Sequence, residues 1–150
     1  RGCRNLPDEN FHKRTVMKLQ ESYFNIRKIS YPNSDTRHGK FKIDLIPTHP
    51  VYEGHFPGEP VCPGVCTLQM VKECAQIMAH EQFLVSYIKQ YRLLTVMTPQ
   101  EHPNLMVEIN LSQEEKEGTG IIYKMKATGS KLGVPDMKFF EISAELSPIK

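Results

Sequence analysis

The fold of this chain is organised around one turn-rich stretch, Gly54-His55-Phe56-Pro57-Gly58-Glu59-Pro60-Val61-Cys62-Pro63-Gly64-Val65. It holds three prolines and three glycines around one histidine. Proline fixes φ and glycine permits positive φ, so this backbone is shaped rather than flexible. Such a segment often positions one side chain or a row of backbone N–H groups. His55, the side chain here that titrates near neutrality, is the candidate. The alternative is a rigid connector in which His55 only hydrogen-bonds the loop.

From Pro63 to about Phe83 the pattern becomes helical, and proline is well placed in a first helical turn. Apolar residues cover most of the circumference, which predicts a buried helix wrapped by a sheet. These residues are Val65, Leu68, Met70, Val71, Cys74, Ala75, Ile77, Met78 and Ala79. One polar stripe interrupts them at helical spacings: Gln69, Glu73, Gln76 and His80. For Gln76 and His80 we expect a solvated edge.

Strand-like runs lie on both sides of this helix. Two precede it, at 24–31 and 40–45, with a turn signal at Pro32–Asp35 between them. Four follow it, at 86–97, 104–111, 119–128 and 137–146, separated by a turn at 113–118 and a loop at 129–136. Consecutive strands with short connections pair antiparallel, so the order predicts an α+β domain with the helix packed on one face of the sheet.

The pattern Gly-His-Phe-Pro-x-x-Pro-x-x-Pro-Gly-Val before an apolar helix resembles the signature of the 3-hydroxyacyl-(acyl carrier protein) dehydratases. The match is dense from Gly54 to Val65 and continues loosely through Ala75-Gln76. Beyond that, only the order of predicted strands agrees. The resemblance implies the hotdog fold, a curved antiparallel sheet wrapped around a central helix. It also implies a homodimer or dimer-based oligomer with the active site at the interface, and acyl carrier protein as the partner that carries the substrate.

Removing water from a 3-hydroxyacyl thioester needs a base, an acid and stabilisation of the thioester oxygen. His55 is the candidate base. The helix N-terminus at Gly64 and Val65 is the candidate oxyanion site, because its first N–H groups lack intrahelical partners. Phe56, Gly64 and Val65 form the expected substrate-binding set. Because each step is a proton transfer, we expect neither a metal nor an organic cofactor.

In the family that this chain resembles, the second catalytic residue is a helix carboxylate at the fourth position after Pro-Gly-Val. Here that position is Gln69. A carboxamide donates and accepts hydrogen bonds but does not deliver a proton as an acid does. Three interpretations follow: Gln69 orients the hydroxyl while His55 handles both proton transfers, Glu73 takes the acid role one turn further on, or the site has lost activity. For Glu73 the structural alternative is a carboxylate paired with a neighbouring cation.

Composition excludes several classes of protein. At 150 residues, with 39% hydrophobic and 24% charged content, the chain suits one globular domain. A net charge of +2 does not argue for nucleic acid. No apolar stretch has membrane-spanning length. None of the four cysteines forms a Cys-x-x-Cys pair, which predicts free thiols in the cytoplasm and no structural zinc.

Residues 1–16 are polar and basic without periodicity, and Met17 is interpreted as a start. We therefore treat 1–16 as an N-terminal extension, either upstream or added sequence, and 17–150 as a single hotdog domain. Four basic residues of the later strands form either a rim for the acidic carrier protein or a solvated strand face: Lys89, Arg92, Lys124 and Lys126.

The leading hypothesis is a dehydratase-like protein that converts 3-hydroxyacyl-(acyl carrier protein) into the 2-enoyl thioester in fatty acid or related acyl-chain synthesis. One alternative is a catalytically weak subunit that binds acyl chains or completes a heterodimer with an intact partner. The other is a hotdog thioesterase, in which water attacks the thioester carbon. The products distinguish the enzymes: a 2-enoyl thioester in one case, free acid and thiol in the other.

Overall fold

A computed structural model of the chain describes residues 18–53, 61–118 and 120–149. His55, Phe56 and the predicted extension lie outside these ranges. The elements are β1 (Phe24–Ser30), β2 (His38–Leu45), a 3-10 turn (Pro50–Glu53), α1 (Gly64–Ala79), β3 (Phe83–Leu93), β4 (Asn104–Lys116), β5 (Gly120–Lys131) and β6 (Val134–Pro148). Within the described ranges, the single α-helix falls short of the length and apolarity that a membrane-spanning helix needs.

The strands form one six-stranded sheet in the order β1-β2-β4-β5-β6-β3, and each neighbouring pair is antiparallel. The predicted α+β hotdog architecture is therefore confirmed. The chain leaves β2, passes through the proline-rich stretch and α1, and returns as β3 at the opposite edge of the sheet. This crossover places α1 across the inner face of the sheet, with its N-terminus next to the proline-rich stretch.

The core lies between α1 and the inner face of the sheet. β2 alternates strictly between buried and half-buried positions, as the period of a strand with one face on a core requires. Met70, Val71, Cys74 and Ala75 of α1 are fully enclosed. They pack in one cluster with buried side chains of the strands, among them Phe41, Ile109, Met125 and Phe140. The prediction of a buried central helix is confirmed.

The helix ends earlier than its sequence pattern predicts. His80 adopts a left-handed conformation with φ 56°, and its N–H donates to the carbonyl of Gln76. The side-chain Oε1 of Gln76 accepts a hydrogen bond from the N–H of Phe83 at 2.9 Å, and Phe83 opens β3. The prediction of a helix to about Phe83 is therefore wrong, because an αL cap stops the helix at a residue other than glycine.

The last strands are longer than predicted. β4 and β5 pair up to Lys116 and Gly120, so the predicted turn at 113–118 is mostly strand. β5 continues to Lys131 and β6 starts at Val134, so the predicted loop at 129–136 shortens to a tight connection. The added end of β4, residues 112–116, is exposed and polar, and its Glu114 pairs with Lys124 of β5 at 3.1 Å. Strand segments exposed on both faces lack the apolar alternation that reveals a strand in a sequence.

Candidate functional site

The N-terminus of α1 is open to its surroundings. Pro63 is the N-cap residue, in an extended conformation with no capping side chain, and its carbonyl accepts from the N–H groups of Cys66 and Thr67. The N–H groups of Gly64 and Val65 precede this ladder and donate to none of the described residues. Val65 is 66% exposed, although most of the helix is buried. Two backbone donors at the positive end of a helix form a suitable site for a developing oxyanion.

Tyr91 of β3 fixes the first turn of α1. Its hydroxyl donates a hydrogen bond to the carbonyl of Gly64 at 2.9 Å. Burial raises the pKa of Tyr91, so the phenol stays protonated and remains a donor. No local sequence signal points to this residue, because the contact depends on the long-range packing of β3 beside the helix. Tyr91 thus holds the peptide that carries the N–H of Val65, one of the two predicted oxyanion donors.

Residues that flank 54–60 in the sequence are in contact with each other. The hydroxyl of Tyr52 and Sγ of Cys62 lie 3.4 Å apart, and the N–H of Cys62 donates to the carbonyl of Met97 at 2.8 Å. The ring of Tyr23 stacks on that of Tyr52 with centroids 5.8 Å apart. Burial raises the pKa of the Cys62 thiol, which favours a packing role over a thiolate. His55 and Phe56, between these ends, lie outside the described residues, so their predicted roles stay predictions.

Gln69 and Glu73 are joined on the polar stripe of α1. Nε2 of Gln69 donates to Oε2 of Glu73 at 2.8 Å. Glu73 is only 4% exposed and carries two further hydrogen bonds. Its Oε2 accepts from the N–H of Leu19 at 2.6 Å, and its Oε1 accepts from the N–H of Gln20 at 2.9 Å. The expected pairing with a cation is replaced by backbone N–H groups, which the sequence pattern gives no means of identifying.

The other two residues of the stripe, Gln76 and His80, differ in their exposure to solvent. His80 is exposed, as expected for a solvated edge. Gln76 is half-buried, and its side chain holds the start of β3 through the N–H of Phe83. The solvated edge predicted at Gln76 is therefore wrong, because β3 folds back against this end of the helix.

Comparison with known proteins shows the family of this chain. A family model described as ApeI-like, ApeI dehydratase, matches residues 31–132, about two thirds of the chain. The chain belongs to the ApeI-like dehydratase family. None of the curated proteins matches its sequence. The matched region includes the proline-rich stretch and all of α1, so the candidate site lies within the part of the chain that defines the family.

The fold is similar to that of a solved structure. The dehydratase heterocomplex ApeI:P from Xenorhabdus doucetiae is similar with a TM-score of 0.55 and 18% identity, over 82% of this chain and 96% of that one. An uncharacterized protein from Erwinia carotovora subsp. atroseptica has a TM-score of 0.47 and 18% identity, over 83% of this chain and 91% of that one. At this identity, the first likeness supports the hotdog fold of this ApeI-like protein.

The outer face of the sheet carries the predicted basic residues of this ApeI-like protein. Lys89, Lys124 and Lys126 line one groove of about 620 Å³ across neighbouring strands. The fourth residue, Arg92, lies 3.5 Å from Glu141, and Lys124 pairs with Glu114. The structure thus brings three of the four together on the face opposite α1, whereas the candidate oxyanion site lies at the end of the helix.

Proposed function

We propose that this ApeI-like protein removes water from 3-hydroxyacyl chains carried by acyl carrier protein and releases the 2-enoyl thioester, in fatty acid or related acyl-chain synthesis. One observation carries the proposal: the dehydratase-type motif ends at a helix N-terminus whose first two N–H groups have no acceptor among the described residues. Donors held by a helix are pre-organised for the charge that develops on a thioester oxygen.

In the proposed reaction, His55 takes a proton from the carbon next to the thioester. The N–H groups of Gly64 and Val65 stabilise the resulting charge on the thioester oxygen, and Phe56 and Val65 contact the acyl chain. Because every step moves a proton, the proposal requires no metal or organic cofactor. Gln69 occupies the acid's position and orients the β-hydroxyl, and because its amide supplies no proton, His55 passes the proton that it has taken from carbon to the departing oxygen, which leaves as water.

Glu73, the other stripe residue that the sequence suggests for the acid role, is held by other contacts. Its oxygens accept hydrogen bonds from two backbone N–H groups and from Gln69, so both oxygens already serve as acceptors for fixed donors. We therefore give Glu73 a positioning role, in which it fixes Gln69 and the segment at Leu19.

We also propose that the protein acts as a homodimer or dimer-based oligomer in the cytoplasm, with β3 at the interface. β3 is an edge strand of the sheet, paired with β6 on one side only. An edge strand with an unpaired side and exposed apolar side chains favours association with a second chain. Its exposed apolar residues are Leu84, Tyr87, Ile88 and Leu93. Because Tyr91 on the same strand holds Gly64, an interface here lies beside the candidate site.

A second candidate function is that of a weakly active partner subunit. Gln69 replaces the expected carboxylate, and the solved ApeI:P relative is a dehydratase heterocomplex. On this hypothesis the chain binds acyl groups and completes a heterodimer with an intact subunit. Purification together with the natural neighbouring proteins distinguishes the two, because a stable hetero-oligomer supports the partner role.

Product identity tests the proposed reaction. The purified protein is incubated with 3-hydroxyacyl-(acyl carrier protein) of several chain lengths, and the acyl carrier protein is analysed by mass spectrometry. We expect a species lighter by one water, whose double bond is reduced by an added enoyl reductase. Free acid and unloaded carrier protein would instead identify a thioesterase. An unchanged substrate at every chain length would favour the partner subunit.

A further inference from the structure

A small cavity lies at the C-terminal end of α1, at the opposite end of the helix from the candidate oxyanion site. Its volume is about 210 Å³, and its walls come from the turn before β2, the end of α1, and the strands β4 and β5. An engineered apolar cavity of about 150 Å³ binds benzene, so this one has room for a ligand of about eight non-hydrogen atoms. The proposed reaction assigns the cavity no role.

One wall of the cavity is apolar. Met78 of α1 and Leu111 of β4 line it, although both residues are otherwise buried in the core. Ala79, the last residue of α1, also lines the cavity, and its small side chain leaves space that a larger one would fill. Apolar side chains around a cavity favour a ligand with an apolar part, because its burial removes apolar surface from water. This wall therefore suits a short alkyl chain.

Hydrogen bonds hold the polar wall of the cavity in place. The hydroxyl of Tyr123 accepts a hydrogen bond from Nε2 of Gln113 at 2.8 Å and donates one to Oε2 of Glu81 at 2.9 Å. Tyr123 and Gln113 both line the cavity, whereas Glu81 does not. The carboxylate of Glu81 is thus engaged by the phenol from outside the cavity, and the polar wall is fixed before any ligand binds.

Arg37 brings a positive charge to the cavity, which it also lines. Its carbonyl accepts from the N–H of Leu111 at 2.8 Å, and its N–H donates to Oδ1 of Asp35 at 3.0 Å, so its backbone is held on both sides. Its guanidinium forms no ion pair with any residue in 18–53, 61–118 and 120–149. Burial raises the pKa of Tyr123, and the positive charge of Arg37 opposes that effect, which indicates that the guanidinium lies near the polar wall. A guanidinium binds a carboxylate through two parallel hydrogen bonds.

We propose that this cavity binds the carboxylate form of a short alkanoic acid, with the guanidinium of Arg37 on the carboxylate and the alkyl chain against Met78 and Leu111. The cavity uses none of the residues of the proposed reaction, so the inference is independent of the proposed function. A ligand here contacts the turn before β2, the helix and two strands at once. Because such a ligand binds the folded chain and not the unfolded one, it stabilises the fold.

Hexanoate is the probe, because it joins a carboxylate to a short alkyl chain. Isothermal titration calorimetry on the full chain measures its dissociation constant, and thermal denaturation at saturating hexanoate measures the shift in melting temperature. Acetate keeps the charge without the chain, and 1-hexanol keeps the chain without the charge. Arg37→Gln removes the guanidinium, and Ala79→Met fills the cavity. Arg27→Gln removes an exposed guanidinium of β1 and is the matched control.

We expect hexanoate to bind wild type and Arg27→Gln with the same dissociation constant and to raise both melting temperatures. Acetate and 1-hexanol should each bind wild type more weakly than hexanoate does. Arg37→Gln should weaken hexanoate binding by about 10–100-fold, because it removes hydrogen bonds between two charged groups. Ala79→Met should bind hexanoate more weakly as well, since its longer side chain occupies the space of the alkyl chain.

Three results would overturn the proposal. The first is a wild type that does not bind hexanoate. The second is equally tight binding by Arg37→Gln and wild type, which would remove the guanidinium from the site. The third is equally tight binding of acetate or 1-hexanol and hexanoate, which would remove the chain or the charge from the recognition. If Ala79→Met does not fold, Arg37→Gln decides, because it changes an exposed side chain and leaves the hydrogen bonds of its backbone in place.

Discussion

Nε2 of Gln69 donates a hydrogen bond to Oε2 of Glu73 at 2.8 Å, so the residue at the acid's position is tied to the carboxylate one turn further along α1. The same carboxylate receives the backbone N–H groups of Leu19 and Gln20. Glu73 therefore connects the start of the described chain to the helix face of the candidate site. This relationship predicts that Glu73 contributes to stability more than to proton transfer.

Glu73→Gln should lower the free energy of unfolding by about 1–3 kcal/mol, because its NH₂ group would confront backbone donors in a buried position. Urea denaturation measures the change. Glu115→Gln, which removes an equal charge at an exposed position of β4, is the control and should have little effect. Unchanged stability together with lost turnover would instead favour the acid role for Glu73.

Tyr91→Phe should destabilise the protein by about 1 kcal/mol, because it removes the hydrogen bond from the phenol to the carbonyl of Gly64. It should also lower kcat/KM, since the first turn of α1 would lose its restraint. Denaturation and steady-state kinetics provide the two measurements. Tyr87→Phe removes a hydroxyl from an exposed position on the same strand and should change neither. Identical kinetics in the two variants would contradict the proposed positioning role of Tyr91.

Stability should fall as the pH falls from about 7.5 to 5.5, in part because of His49. Burial lowers the pKa of His49, and its Nδ1 accepts the N–H of Val51 at 3.0 Å, which requires that nitrogen to be unprotonated. With a folded-state pKa below the unfolded value, the folded protein binds fewer protons between the two. The contribution is therefore complete above the unfolded pKa and is lost as the pH falls towards the folded one.

His49→Asn should reduce this pH dependence, because an asparagine oxygen accepts a hydrogen bond at every pH in the range. Urea denaturation at both pH values provides the test. His80→Asn is the matched control, since asparagine tolerates the αL conformation at that exposed helix end. A pH dependence that disappears in His80→Asn and persists in His49→Asn would refute the assignment.

Lysine at exposed apolar positions of β3 should convert the proposed dimer into a monomer, because a charge would have to be buried beside a strand edge. The test substitutions are Ile88→Lys and Leu93→Lys, and light scattering after size exclusion measures the mass. Ile121→Lys alters an equally exposed isoleucine of β5, away from the edge, and should leave the mass unchanged. A monomeric wild type would contradict the dimer directly.

Much of the fold follows from patterns that the sequence displays. The apolar run after Pro63 predicts the buried helix, and strict alternation at 40–45 predicts β2. The helix end was misplaced because the stop depends on the αL conformation of His80 and on a contact between Gln76 and Phe83. The end of β4 is missed because its exposed residues are polar and charged without alternation. The end of β5 is missed because Gly129 is typical of a loop in sequence, whereas here it is a buried strand residue covered by the ring of Phe140.

The candidate site was only partly predictable. Spacing alone places Gln69 and Glu73 on one stripe, but it does not reveal that Glu73 binds the backbone of Leu19 and Gln20. Tyr91 lies 27 residues after Gly64 in the sequence, and the two residues come into contact because β3 packs beside the helix.

The rate of enoyl-thioester formation from 3-hydroxyacyl-(acyl carrier protein), compared between wild type and His55→Ala, tests the central claim most directly. His80→Asn serves as a histidine control outside the proposed site. We predict that wild type and His80→Asn form the 2-enoyl thioester and that His55→Ala is slower by about 10²–10⁴-fold. Equal rates in His55→Ala and wild type, or release of free acid by wild type, would contradict the account.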